Sequence, residues 1–312
     1  MADLTAPQFT DETAARTALE AVRWPNGPVC PHCGSVDDNV TKMEGKAHRP
    51  GLYHCKGCQG QFSVTVGTVY ERSHIPLHKW LFATHLLAAG KKGTSAHQIH
   101  RMLGITYKSA WFMCHRIREA MKDTSVEPMG GAGKHVEADE TYIGNKRNVP
   151  KAKGGGSHKM AVLSLVERGG KARSFHIDRT TSKNIAPIVA KYVSIESTLN
   201  TDEAEHYRTI GREFAAHGSV SHAKGEYVKG TASTNTAEGF YSIFKRGMKG
   251  VYQHCSEEHL HRYLAEFDFR YSNRAKLGVS DRERADKALK GIEGKRLTYR
   301  RINEANKAAS LG

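Results

Sequence analysis

Four cysteines stand in two C-x-x-C pairs, Cys30 with Cys33 and Cys55 with Cys58, and three acids follow at wide spacing, Asp139, Asp202 and Glu238. Paired thiolates are soft ligands that close a tetrahedral zinc site, and the interval from Cys33 to Cys55 suits the two knuckles of a zinc ribbon. Carboxylates are hard oxygen ligands, suited to Mg²⁺ or Mn²⁺. A closed four-thiolate site leaves no open position for chemistry, so its work is to fold a module too small to bury an adequate core. Gly34 in C-P-H-C-G and Gly57 in Y-H-C-K-G-C are expected to supply the tight turns that aim each pair at one ion. His32 and His54 lie inside the knuckles as alternative ligands that a complete cysteine set does not need.

The acids gain meaning from their surroundings. Asp139 sits in V-E-A-D-E-T-Y-I-G, between Glu137 and Glu140. Such crowding on a strand is repulsive unless a cation intervenes, or unless the strand is an exposed edge with solvated acids. Strand alternation puts Glu137 and Asp139 on one face and Glu140 on the other, which predicts that one face alone serves a site. Asp202 ends the next candidate strand, either as a functional group or as the N-cap of a helix starting near Glu203. Glu238 lies in S-T-N-T-A-E-G-F-Y-S-I-F-K-R-G. At helical periodicity Asn235, Glu238, Ser242 and Lys245 form a polar stripe opposite Ala237, Phe240, Phe244 and Met248. That stripe can face a cleft, with Lys245 on a substrate phosphate. Alternatively, Asn235 and Glu238 make a capping-box-like pair.

The elements that must position these groups can be read from periodicity. Strands are predicted over Val136–Ile143, Lys159–Glu167 and Ala172–Ile177, then an amphipathic helix over Ser182–Val193, a strand ending near Asp202 and a helix from about Thr236. That order is the α/β order of the ribonuclease H fold, a mixed sheet flanked by helices. Upstream, Leu77, Trp80, Leu81 and Leu87 form a helical stripe closing at Gly90, and Ser95 is placed to cap a helix over Ala96–Leu103. Gly104 breaks that pattern before a second helix over Thr106–Met121, in which Trp111 and Ile117 are read as core. The pair is helix-turn-helix-like and would offer Thr106, Tyr107, Lys108 and Ser109 to a DNA major groove, unless it is a plain helical hairpin. Thr124–Gly133, with Pro128, Gly130, Gly131 and Gly133, reads as a linker, and Pro150–His158, with Gly154, Gly155 and Gly156, as a mobile loop. Beyond residue 250, Leu260, Tyr263, Leu264 and Phe267 pack at helical spacing. Arg262, Arg270, Arg274, Lys295-Arg296 and Arg300-Arg301 add charge that can hold phosphates without reading sequence.

The expected organisation is a zinc ribbon over 1–70, a helix-turn-helix-like DNA-binding region over 71–123, a linker over 124–134, a ribonuclease H-like catalytic domain over 135–280 and a basic tail over 281–312. The 312 residues carry 47 Lys+Arg against 32 Asp+Glu, a formal charge of +15 that attracts a polyanion. No run approaches the roughly 18 apolar residues of a membrane span, and Met1–Arg16 lacks a signal-peptide pattern, so a cytoplasmic protein without a membrane partner is expected. In that compartment paired cysteines are metal ligands rather than disulfides, while Cys114 and Cys255 have no such spacing.

Taken together, C-P-H-C, W-x-x-x-H-L-L, V-E-A-D-E-T-Y-I-G, T-D-E-A-E-H-Y and T-N-T-A-E-G-F-Y-S-I-F-K-R-G make the chain, over roughly residues 10–280, resemble bacterial insertion-sequence transposases. These join an N-terminal zinc ribbon to a DDE-type (ISXO2-like), ribonuclease H-like catalytic domain. The resemblance implies structural zinc on the four cysteines and catalytic Mg²⁺ or Mn²⁺ on Asp139, Asp202 and Glu238. It leaves Asn235 and Glu238 competing for the third catalytic position, with Lys245 as the following basic residue. It also implies double-stranded DNA as partner, both transposon ends and target, a homodimer or higher oligomer in the synaptic complex, and nucleoid association when DNA-bound. Asn145 stands where a second glycine is frequent, and Tyr241 where tryptophan is. Two other classes compete. A zinc-ribbon transcription regulator leaves the acids unexplained, and a metal-dependent nuclease of ribonuclease H-like fold does not need the end-recognition module.

Overall fold

The computed structural model describes residues 3–151, 153, 155–221, 225–226 and 228–298, so Gly154 and the Arg300-Arg301 pair lie outside the described residues. The chain forms two compact units. One comprises the chain up to Ala88, Ala96–Met121 and the chain from Ala285; the other comprises Ala89–Ser95 and Lys122–Arg284.

The first unit opens with α1 (Glu12–Arg23), started by Asp11, whose carboxylate accepts the Ala14 N–H at 2.7 Å. Three short strands, β1 (Val40–Met43), β2 (Leu52–Cys55) and β3 (Gln61–Phe62), pair antiparallel in that order. Their apolar support is small: Trp24, Tyr53 and Phe62 meet with ring centroids 5.4–5.9 Å apart. Helices α2 (Leu77–Ala89), α3 (Ala96–Leu103) and α4 (Tyr107–Met121) follow as the apolar spacing predicts. Leu77, Trp80, Leu81, Leu87 and Ile117 are buried and Trp111 is half-buried.

The second unit is built on a five-stranded mixed sheet. Strands β4 (His135–Ile143), β5 (Met160–Glu167) and β6 (Ala172–Ile177) run antiparallel, and β7 (Thr198–Thr201) and β8 (Ala216–Ser219) add in parallel on the other side of β4, giving the order β6-β5-β4-β7-β8. Helices cover both faces. On one, Ala138, Leu163, Leu165 and Leu199 pack with Ile185 and Val189 of α5 (Ser182–Tyr192) and with Tyr207 of α6 (Tyr207–Ile210). On the other, Ile143, Val162 and Val166 pack with Phe240 and Phe244 of α7 (Asn235–Gly247) and with Leu260, Leu264 and Phe267 of α8 (Glu257–Ser272). Because β5 is covered twice, it reads as one apolar run rather than as an alternation. A two-stranded hairpin, β9 (Val228–Lys229) with β10 (Ala232–Ser233), precedes α7.

Several local expectations change. No helix starts at Glu203: Asp202 opens a turn in which its carboxylate accepts the Ala204 N–H at 3.0 Å, and helix begins only at Tyr207. Thr234 occupies the N-cap of α7, so Asn235 is already helical and does not form the capping pair with Glu238. Gly34 is left-handed, with φ +78°, but in the second knuckle the left-handed residue is Gln59, with φ 57°. Gly57 instead makes room, since a Cβ there would lie 2.7 Å from Ser35 Oγ. Arg270 is buried against the Glu266 carboxylate rather than displayed as surface charge. Among the described residues, no helix is long and apolar enough to cross a membrane.

Candidate active site and zinc centre

Strand β4 pairs with β7 only over His135–Glu137, and Asp202 follows the last residue of β7. Among the described residues, no strand pairs with that edge of β4 beyond Glu137, so side chains from both of its faces can turn toward Asp202. Asp139, Glu140 and Asp202 each bring a carboxylate oxygen within 4.8 Å of the others. Glu140 therefore joins the cluster, against the expectation that alternation would keep it away. Asp139 and Glu140 still leave β4 on opposite faces, but beyond the last pair with β7 their carboxylates can both reach round the open edge to Asp202.

The cluster is electrostatically loaded. Burial pushes the Asp139 carboxyl up to about 7, reinforced by the charges of Glu140, Asp202 and Glu238 and opposed by the Glu140 N–H it accepts at 2.7 Å. Burial also raises Asp202, against the Ala204 N–H and with the help of Glu140. The hydrogen bond to Glu140, at 3.3 Å, holds the His206 imidazole above its ordinary value, and the Tyr207 hydroxyl donates to the same Glu140 oxygen. Three hard oxygen donors this close together fit a divalent cation, which offsets the mutual repulsion of their charges. T-D-E-A-E-H-Y contains His206 and Tyr207, but nothing in its spacing showed that they hold Glu140.

Helix α7 reaches the cluster from one flank. The Tyr241 hydroxyl donates to the Asp139 carbonyl at 2.5 Å, and the exposed Glu238 acts on Asp139 through its charge. Asn235 is exposed at the first turn and lines a neighbouring cleft, and Lys245 is half-exposed.

Glu137 has a different task. It is fully buried, accepts Arg168 Nε at 2.6 Å and receives the Ala237 N–H of α7 at 2.9 Å. Arg168 in turn donates to the Thr231 carbonyl at 2.7 Å and to the Ser233 carbonyl at 3.0 Å. One carboxylate thus caps α7 from a distant strand and, through Arg168, anchors the hairpin before it. Glu137→Ala is expected to cost about 3 kcal/mol, because it strands a buried helix N–H and a half-buried guanidinium. Urea unfolding checks this, and a loss under about 1 kcal/mol would remove the anchoring role.

In the first unit, Cys30, Cys33, Cys55 and Cys58 bring their sulfurs within 4.8 Å of one another. The Cys30–Cys58 and Cys33–Cys55 sulfur distances are 3.7 and 3.5 Å. A tetrahedron with Zn–S of about 2.3 Å has sulfur–sulfur edges of about 3.8 Å, so the thiols fit zinc closely. The Cys58 amide leads in lowering the Cys55 thiol to about 6, while burial and neighbouring sulfurs raise Cys58 to about 12 against the Gly60 amide. Zinc binding would displace thiol protons from this cluster.

At the start of α4, the Thr106 hydroxyl accepts the Ser109 N–H at 3.2 Å and donates to Ser109 Oγ at 2.9 Å, so these two form a local cap. Tyr107, 43% exposed, stacks on His97 with centroids 4.2 Å apart, and Lys108 is exposed.

Residues 10–61 match the transposase zinc-ribbon domain, and residues 130–272 match the ISXO2-like transposase domain. A protein of Halobacterium salinarum (strain ATCC 700922 / JCM 11081 / NRC-1), named as an uncharacterized protein in transposable element ISH50, is 28% identical over 278 residues, covering 84% of this chain and 91% of that protein. With a four-thiol ribbon preceding a mixed sheet that gathers its acids at one strand end, the chain carries, in that order, regions matching a transposase zinc-ribbon domain and an ISXO2-like transposase domain.

Proposed function

We propose that the protein binds the ends of an insertion sequence, cuts one strand at each end and joins the freed 3′-hydroxyl to target DNA. The convergence of Asp139, Glu140 and Asp202 within an ISXO2-like transposase domain carries this reading. Asp139 and Asp202 would hold Mg²⁺ or Mn²⁺, with Glu140 kept in orientation by Tyr207 and His206 and with Glu238 approaching from α7. The bound cation supplies Lewis-acid polarisation of the phosphate and lowers the pKa of the attacking water or 3′-hydroxyl. The protein's own groups orient that centre: Tyr241 fixes α7 against Asp139, and Lys245 is on the same flank of α7 to hold a substrate phosphate.

The organisation follows the same logic. The zinc ribbon and the helix-turn-helix-like region, with Tyr107 and Lys108 leading, would bind double-stranded DNA, and a homodimer or larger assembly would bring two ends together in a cytoplasmic, nucleoid-associated complex. A regulator would not need the acid cluster, and a simple nuclease would cut without joining.

The third catalytic position has a direct test. Glu238→Gln is expected to lower end cleavage by about 10²-fold, the scale of one lost transition-state electrostatic contact. Asn235→Ala is expected to cost under about tenfold on that scale. Single-turnover cleavage of end DNA reads both, and the reverse ranking would assign the position to Asn235.

A further inference from the structure

Helix α4 is poorly placed to read DNA beyond its tip. Thr106, Tyr107 and Lys108 are exposed at its start, but Met113, Cys114, His115 and Ile117 are fully buried. Its Arg116 points inward too, donating to the Glu71 carbonyl at 2.6 Å with the guanidinium 5.2 Å from the centre of the Trp80 ring. A recognition helix must show one side to the groove over successive turns, and this one is enclosed by its own chain after the first.

Helix α3 has the opposite character. His97, Gln98, Arg101 and Met102 are exposed and, paired at i and i+4, share one side, while Ile99 and Leu103 on the other side are buried. Its C-terminal end is held firmly: Lys79 of α2 donates to the Leu103 carbonyl at 2.7 Å, and His100 Nδ1 donates to the Ile105 carbonyl. The His97 ring stacks on Tyr107 with centroids 4.2 Å apart, so the α3 face and the tip of α4 form one surface. No Asp or Glu occurs between Glu71 and Glu119, so every charged side chain that α3, its turn and that tip contribute is cationic. Within this face Arg101 makes no hydrogen bond or ion pair among the described residues.

We propose that α3, rather than α4, enters the major groove of the element's end and that Arg101 reads a guanine there, with Lys108 on a neighbouring phosphate. The proposal rests on the end-binding part of the function proposed above and assigns base reading within it. The major groove, about 12 Å wide, admits one α-helix, and a projecting Arg is the side chain that meets guanine O6 and N7 together. A cationic face without carboxylates also suits the flanking phosphates.

The test measures binding of the full-length, zinc-loaded protein to a duplex carrying the element's end and to an unrelated duplex of equal length. Arg101→Ala and Lys108→Ala change exposed side chains and should leave the thermal melt unchanged. Arg101→Ala should weaken end binding by about tenfold or more and the unrelated duplex far less. Arg101→Lys keeps the charge but not the fork of donors, and should lose discrimination in the same way. Lys108→Ala should weaken both duplexes alike and lower the log–log salt slope by about 0.9, the release expected for one duplex phosphate. Replacing the end's guanines one at a time by 7-deazaguanine should find one whose missing N7 weakens the parent and leaves Arg101→Ala unaffected. Equal losses on both duplexes for Arg101→Ala, full discrimination retained by it, or discrimination lost in Lys108→Ala instead would overturn the proposal and leave the end-binding reading standing. A folded parent that binds both duplexes equally would remove both.

Discussion

Asp139→Ala and Asp202→Ala proteins will fold, bind end DNA and fail to join it, with cleavage and strand transfer about 10³-fold or more below the parent. Each removes a hard oxygen donor from a cluster whose carboxylates lie within 4.8 Å of one another. Each also removes like charge, since burial and neighbouring acids hold Asp139 near 7. The cation-free variants should therefore be no less stable than the cation-free parent, and thermal melts should show that Mg²⁺ raises the parent's transition and leaves the variants' unchanged. Loss of activity together with loss of folding would mean that the acids act in structure. Undiminished joining in either variant would place the chemistry elsewhere.

The second large effect is at the other metal. Cys55→Ser, or removal of zinc by a strong chelator, is expected to abolish the ordered fold of the ribbon. Zinc binding contributes about 10–16 kcal/mol in small four-ligand modules, whereas three strands of four, four and two residues around Trp24, Tyr53 and Phe62 bury little. Elemental analysis should find one zinc in the parent and none in the variant. Limited proteolysis should cut within residues 10–61 only when zinc is absent, with end binding lost in parallel. A variant whose ribbon resists proteolysis without metal would show that the aromatic cluster suffices.

Much of this was legible in the residues because the physics behind it is local. The C-x-x-C spacing announced the sulfur cluster, the apolar run of β5 announced a strand, and the 3.6-residue stripe of α7 separated its packed side from its polar side. Glu140 was not legible. Its approach to Asp202 depends on β7 pairing with only three residues of β4, a length no pattern within β4 encodes. Glu137 was read as one acid among several, yet its partners, Arg168 and the Ala237 amide, lie 31 and 100 residues away. Arg270 looked like surface charge for the same reason, because helical spacing alone did not show that Glu266 would take it into the interior. The left-handed turn expected of Gly57 falls instead on Gln59, since sequence signals where a turn must occur more clearly than which residue takes the left-handed conformation.

The most direct measurement incubates the purified protein with DNA carrying the element's ends and a target plasmid, with Mg²⁺ and with EDTA, and sequences the products. Junctions between the 3′ ends of the element and target DNA, formed with Mg²⁺, absent with EDTA and absent from the Asp139→Ala protein, are the expected result. Specific binding of the ends by folded, zinc-loaded protein with neither cutting nor joining in Mg²⁺ or Mn²⁺ would contradict it.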